Sequence, residues 1–220
     1  MKRIVIDLEM CKVPRMYRNK NYPYAAEIIQ IGAVRLDENN EITDEFSSYV
    51  KPVYGAVDNF IKNLTGIRGT NVRTAQPLDA IVREMLAWIG TKDVCIISWS
   101  ESDYYQLKRE LCAKVLETDE FEILLDQENW VDYQKEYEER FRFGRSLSLK
   151  DALFYLEIDP VGRLHDGLAD AYNTARIIAE MERNPEKMFL LDRIRKTERE
   201  TEQIGTCLGS LLQGFKSQIA

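Results

Sequence analysis

A single histidine, His165, serves a chain of 220 residues, and its four cysteines, Cys11, Cys95, Cys112 and Cys207, stand far apart with no C-x-x-C pair among them. Those two shortages argue against the clustered Cys/His sets of structural zinc and against a disulfide framework, leaving reduced, partly buried thiols as the default. No apolar run approaches the roughly 20 residues that span a bilayer. No charged-then-apolar leader precedes Met1-Lys2-Arg3-Ile4 either, so a cytoplasmic location is expected. Excess positive charge is also missing. With 30 Lys and Arg against 37 Asp and Glu the net charge is −7, which gives no general attraction for a polyanion; a nucleic acid would have to be held by a local patch and by metal ions. Repeats and low-complexity blocks are absent as well. What is there is an ordinary globular composition, 45% hydrophobic and 30% charged, long enough for one well-buried core.

Along the chain, residues 2–8 read as a buried strand and residues 10–24 as a polar loop rich in tyrosine and basic side chains. Residues 28–36 and 42–50 make two more strands, joined by Asp37-Glu38-Asn39-Asn40 with hairpin turn chemistry. The stretch from Pro52 to Pro77 is expected to be irregular. Leu78, Ile81, Val82, Met85, Leu86 and Ile89 then recur at helical spacing between Pro77 and Gly90. Residues 94–98 make a fourth strand leading into a helix over 103–115. Residues 121–125 are a candidate fifth strand. Residues 130–141 and 148–156 look helical, with Ser146 or Ser148 as cap. Three meandering strands followed by alternating helices and strands predict one α/β domain on a mixed sheet flanked by helices, residues 1–184, with a helical extension or tail over 185–220 that carries an apolar patch at 208–212.

The first strand holds a conflict. In IVIDLEM, Ile4, Ile6 and Leu8 point one way while Val5, Asp7 and Glu9 point the other. Two carboxylates two apart on one strand lie about 6 to 7 Å from each other, and burying them unneutralised would cost several kcal/mol. A divalent cation removes the problem; a frayed, solvated strand end is the plain alternative. A third acid follows the fourth strand in Ser98-Trp99-Ser100-Glu101-Ser102-Asp103, where functional groups gather in open α/β sheets. There Asp103 also fits a capping box with Ser100, and Glu101 is a second candidate. His165 opens HDGLADAYNTA. Five positions do not share a helix face, so His165 belongs to the entering loop, Asp166 to the N-cap and Asp170 to the first turns, backed by Thr174, Ile177, Ile178 and Met181. Asp170 could instead merely complement the helix N-terminus. Oxygen-rich, histidine-poor sites suit Mg²⁺ or Mn²⁺, and four such carboxylates could hold two ions about 3.5 to 4 Å apart.

The ordered set of motifs resembles the DEDD-type 3′–5′ exonucleases of the ribonuclease H-like fold, in the subgroup with histidine in its last motif, the DEDDh type. Asp7-Leu8-Glu9 is similar to its first motif, Asp103 in ISWSESDYYQL to its second, and His165 through Ala171 to its third; EIIQIGAV and LTGI (64–67) resemble two supporting stretches. The similarity covers about residues 2–182. It implies Asp7, Glu9, Asp103 and Asp170 as ligands of two Mg²⁺ or Mn²⁺ ions, His165 as general base, and hydrolysis of single-stranded nucleic acid from a free 3′ end to nucleoside 5′-monophosphates. The look is closest to exonucleases of RNA processing and the bacterial KapD type, which favours RNA over DNA. Met10 stands where threonine is often found beside the sugar, and Leu64 matches an apolar position beside the terminal base.

For stacking on the terminal nucleotides, Tyr22, Tyr24, Phe60, Trp99 and Tyr104 are candidates. Lysines and arginines between Lys12 and Lys20 are candidates for the local basic patch. Two other readings remain: a phosphodiesterase of very short oligonucleotides, which an acidic chain tolerates better, and a catalytically silent nucleic-acid-binding module of the same fold.

Overall fold

The computed structural model describes residues 1–114, 119–141 and 146–184; the expected extension over 185–220, its patch at 208–212, and Val115 lie outside them. Five strands form one mixed sheet: β1 (Lys2–Lys12), β2 (Ala26–Leu36), β3 (Ile42–Tyr49), β4 (Val94–Ser98) and β5 (Trp130–Asp132), in the order β3-β2-β1-β4-β5. The hairpins make β1, β2 and β3 antiparallel. β4 and β5 run parallel to β1 because helices intervene. Among the described residues the helices are α1 (Asn59–Thr65), α2 (Gly69–Arg73), α3 (Leu78–Ile89), α4 (Ser102–Lys114), α5 (Glu122–Leu125), α6 (Tyr133–Phe141), α7 (Leu149–Tyr155) and α8 (Gly167–Arg183). None is long and apolar enough to cross a membrane.

The alternation read from β1 sorts the two faces. Ile4, Ile6 and Leu8 pack with Ile81, Val82 and Met85 of α3 and Leu107 and Leu111 of α4. Val5, with Val34 of β2 and Ile97 of β4, packs on Tyr133 and Tyr137 of α6 and Ala171, Ala175 and Ile178 of α8. Asp7 and Glu9 therefore face the α8 side. Thr174, Ile177, Ile178 and Met181 are all buried, as the helical stripe requires.

Three expectations need correction. Residues 121–125 are not a strand but a 3₁₀ turn (Asp119–Phe121) running into α5, because Phe121 and Leu124 are buried at helical spacing; a short apolar run does not by itself distinguish the two states. The fifth strand lies at Trp130–Asp132, inside a span expected to be helical, and owes its state to pairing with Ile96–Ser98 of β4. The irregular stretch also contains two helices. Asp58 caps α1 by accepting from the Ile61 N–H (2.8 Å), and Gly66 ends it in the left-handed region (φ 81°).

One contact sets how close α8 comes to the sheet. A Cβ placed on Gly32 of β2 would lie 2.1 Å from both the Gly167 carbonyl carbon and the Leu168 nitrogen. One on Gly167 would meet the Asp7 carbonyl oxygen at 3.2 Å. Backbone rests on backbone at this point, which only paired glycines permit. Gly32→Ala is expected to cost about 3 kcal/mol or more in urea denaturation, the upper range for overpacking. Gly69→Ala, with nothing within 4 Å of the added carbon, should change stability by less than about 0.5 kcal/mol. A Gly32→Ala chain as stable as the parent would show that the helix end does not depend on this approach.

Candidate metal centre and active site

Three elements converge on one end of the sheet. β1 carries Asp7 opposite Gly32 and Glu9 opposite Gln30, with a register shift between Glu9 and Met10 that ends the regular ladder there. β4 pairs with β1 only as far as Ile6↔Ser98, so the chain leaves the sheet one residue short of Asp7 and turns into α4, with Asp103 in its first turn. Past the Gly32–Gly167 contact, α8 presents Asp170 in its first turns. Asp166 is the N-cap, accepting from the Ala169 N–H (3.2 Å).

Gln30, buried in β2, grips the same helix start. Its Oε1 accepts from the Gly167 N–H (3.0 Å), and its Nε2 donates to Asp166 Oδ2 (3.3 Å). His165 sits in the loop just before the helix with φ 67°, a left-handed conformation uncommon for a non-glycine residue. Its backbone N–H donates to Asp170 Oδ2 (2.8 Å), which fixes the turn.

Glu9, Asp103 and Asp170 are buried, while His165 is exposed at the mouth. Burial, with Asp103, Asp170, Glu9 and Asp166 as neighbouring charges, lifts the Asp7 carboxyl well above the usual range. Burial and the charges of Asp170 and Asp103 push Glu9 to about 8. Burial raises Asp103 to about 7 against backbone hydrogen bonding at Leu8. Asp170 rises to about 6, again mainly by burial, opposed by hydrogen bonding to the His165 backbone. Among the described residues no lysine or arginine forms an ion pair with any of the four.

The arrangement fits a hard divalent cation. Glu9, His165 and Asp170 each offer a ligand atom, all within 4.8 Å of one another. The buried Asp170 Oδ1 has no hydrogen-bond partner, which a cation would supply. Glu101, the other acid after β4, is exposed and paired with Lys135 instead.

The other predicted contacts are distributed differently. Trp99 is buried, donates Nε1 to the Leu147 carbonyl (3.1 Å) and packs on Tyr137. Tyr104 is buried too, with its hydroxyl donating to the Leu125 carbonyl (2.9 Å). Tyr22 likewise belongs to the interior, stacked on Tyr54. Met10 is partly buried against the α3–α4 side of the core, and Leu64 lies half-buried near the end of α1. Phe60, on α1, is 69% exposed. The expected loop over 10–24 begins only after Lys12, the last residue of β1; Lys12, Arg15 and Lys20 are exposed, whereas Arg18 donates to the Val13 carbonyl. Gln30 and the paired glycines escaped the sequence reading. A glutamine between Ile29 and Ile31, in the middle of an apolar run, was the available signal for the first.

Residues 4–178 match the RNase_T exonuclease family model. The 3′–5′ exoribonuclease 1 of Rattus norvegicus is 30% identical over 167 residues, covering 70% of this chain and 46% of that protein, so the chain spans about half the relative's length. The nuclease domain of 3′hExo, described as a DEDDh family member bound to rAMP, superposes with a TM-score of 0.62 at 22% identity, over 83% of this chain and 92% of that one. S. pombe Pop2p, in a form with Mg²⁺ and Mn²⁺ bound, gives 0.61 at 19% identity over 84% of each chain. The ribonuclease H-like exonuclease fold is thereby established, and the chain belongs to the exonuclease family, as the DEDDh-type order of its motifs implied.

Proposed function

We propose that the chain is a divalent-metal-dependent 3′–5′ exonuclease that shortens single-stranded nucleic acid, RNA in preference to DNA, from a free 3′-hydroxyl and releases nucleoside 5′-monophosphates. The observation that carries this reading is the convergence of Asp7, Glu9, Asp103 and Asp170, partly or wholly buried and without a cation of their own, beside the exposed imidazole of His165. The rat relative, an exoribonuclease, supports RNA as substrate. Pop2p, with Mg²⁺ and Mn²⁺ bound, supports those metals. Residues 1–184 form the catalytic domain in this reading. Free cysteines at Cys11, Cys95 and Cys112 suit a reducing compartment such as the cytoplasm.

Asp7, Glu9, Asp103 and Asp170 would hold two Mg²⁺ or Mn²⁺ ions. When bound, such ions supply Lewis acidity at the scissile phosphate. The chain's own side chains do the remainder. His165, at the open edge, takes the proton of the attacking water on its imidazole, and Asp170 holds it there through the backbone hydrogen bond. Met10 and Leu64 contact the terminal nucleotide, Phe60 offers an exposed ring for stacking, and Lys12, Arg15 and Lys20 supply local positive charge on an otherwise acidic molecule. Trp99 and Tyr104 are assigned to packing because both polar groups are already paired inside the core. The acidic net charge gives some weight to very short oligonucleotides as the natural substrates.

A 5′-labelled single-stranded oligoribonucleotide should be shortened stepwise from its 3′ end in Mg²⁺ or Mn²⁺, with 5′-monophosphates as products by chromatography. A 3′-phosphate should slow the reaction sharply. Cleavage of a circular strand would refute an exonuclease.

Stability should depend on metal and pH together. The site carboxyls titrate above their ordinary values, so the native state keeps protons that the unfolded chain has released, and stability falls as pH rises. In chelator, the melting temperature should drop from about pH 4 through about 8, the span from ordinary carboxylates to Glu9. Millimolar Mg²⁺ should flatten that drop, and Asp7→Asn should blunt the effect of metal. Identical melting curves with chelator and with Mg²⁺ across the pH range would sink the metal centre.

His165→Gly, which leaves the left-handed turn unstrained, should reduce turnover roughly 10²- to 10⁴-fold while keeping the Mg²⁺-induced rise in melting temperature. Parental rates would remove His165 from the mechanism.

A further inference from the structure

We propose that Arg163 is a positioning residue of the nuclease site, a staple that ties the C-terminal end of α1 to the turn carrying His165; this rests on the exonuclease reading above. α1 has seven residues, and its last helical bond runs from the Gly66 N–H to the Lys62 carbonyl (2.9 Å). The carbonyls of Asn63 and Leu64 thus lie beyond the helix's own donors. Both are taken by one side chain about 100 positions later in the sequence: Arg163 Nε donates to the Leu64 carbonyl at 3.2 Å and its Nη2 to the Asn63 carbonyl. A cation at a helix C-terminus is favourable in itself. Gly66 makes room for it, since a Cβ there would stand 3.0 Å from Arg163 Nη1.

The other end of the staple is rigid. The Arg163 carbonyl accepts from the Asp166 N–H (3.2 Å), closing the turn that contains His165. Asn173 of α8 pins Val161 in both directions, accepting from its N–H at 2.8 Å and donating to its carbonyl at 3.0 Å. Gly162, at φ 70°, lies flat on α8, where a Cβ would fall 2.9 Å from that of Ala169. Arg163 is therefore the arm by which a loop fixed on α8 holds α1. Leu64, proposed to touch the terminal base, and His165, proposed to serve the phosphodiester, are set at one spacing by it. Arg163 is exposed, so its two hydrogen bonds add little to global stability.

The test is a double-mutant cycle on the full chain with a 5′-labelled single-stranded oligoribonucleotide in Mg²⁺. Arg163→Ala should lower kcat/KM about tenfold in the parental background, a loss of the size that small misplacement of a bound substrate produces. In a Leu64→Ala background the same change should cost less than about twofold, because the side chain it positions is gone. Melting temperature and its rise with Mg²⁺ should stay at parental values in both single variants. An Arg163→Ala cost equal in the two backgrounds, parental kinetics in either single variant, or a loss of melting temperature that accounts for the loss of rate would overturn the staple. A parental chain that releases no nucleotide would overturn the nuclease reading itself, and the role of Arg163 with it.

Discussion

Direct backbone contact between Gly32 and Gly167 is the constraint on which the site depends. Side chains normally hold a helix and a sheet well apart, and α8 keeps such a distance further along, where Ala175 and Ile178 pack on the sheet. At its first turn the missing side chains let the helix end come down onto the strand pair. Asp170 can then share a pocket with Asp7, and the N-cap Asp166 comes within reach of Gln30. The glutamine completes the contact by occupying a helix N–H and a capping oxygen together. Orphan donors at the helix start are satisfied by the sheet that the helix approaches.

The pocket so formed concentrates like charge, and its cost is clearest beside a second group of buried acids in the same protein. Burial works against ionised Glu27 as well, yet Lys114 and the N–H groups of Val53 and Gly55 outweigh it, and its carboxyl titrates below the ordinary range. Glu110, on α4, shares that lysine and accepts from Gln106, although burial still holds its carboxyl above the ordinary range. Those acids fasten β2 to α4 and to the chain before α1. Glu9, Asp103 and Asp170 are buried and Asp7 partly so, no lysine or arginine pairs with them among the described residues, and burial pushes each of the four up. Glu27 and Glu110 have Lys114 beside them, whereas the acids at the end of the sheet have no such cation among the described residues.

The candidate site was legible where chemistry conflicts with local pattern. Asp7 and Glu9 stand out because they occupy the inward phase of an apolar strand, and His165 because it is the chain's sole imidazole. Asp103 and Asp166 could be placed from turn chemistry and helix period. The aromatic contacts were not legible: Trp99 and Phe60 look alike in sequence, and only packing puts one against Tyr137 and the other in solvent. The short β5 was missed for a related reason, since three residues become a strand by finding β4 beside them.

Taken by itself, the sequence determined the properties that depend on near neighbours: the alternation that splits β1 between two faces, the cap and apolar stripe of α8, the glycine end of α3, and the order in which the acids arrive. Only tertiary structure decided how near those acids come, which rings are buried, and that Gln30 and Arg163 hold elements distant in the chain. Local rules act through backbone geometry over a few residues, whereas the spacing of α1, β1, α4 and α8 follows from contacts between residues far apart in the chain, such as Gln30 with Gly167 and Glu110 with Ile28.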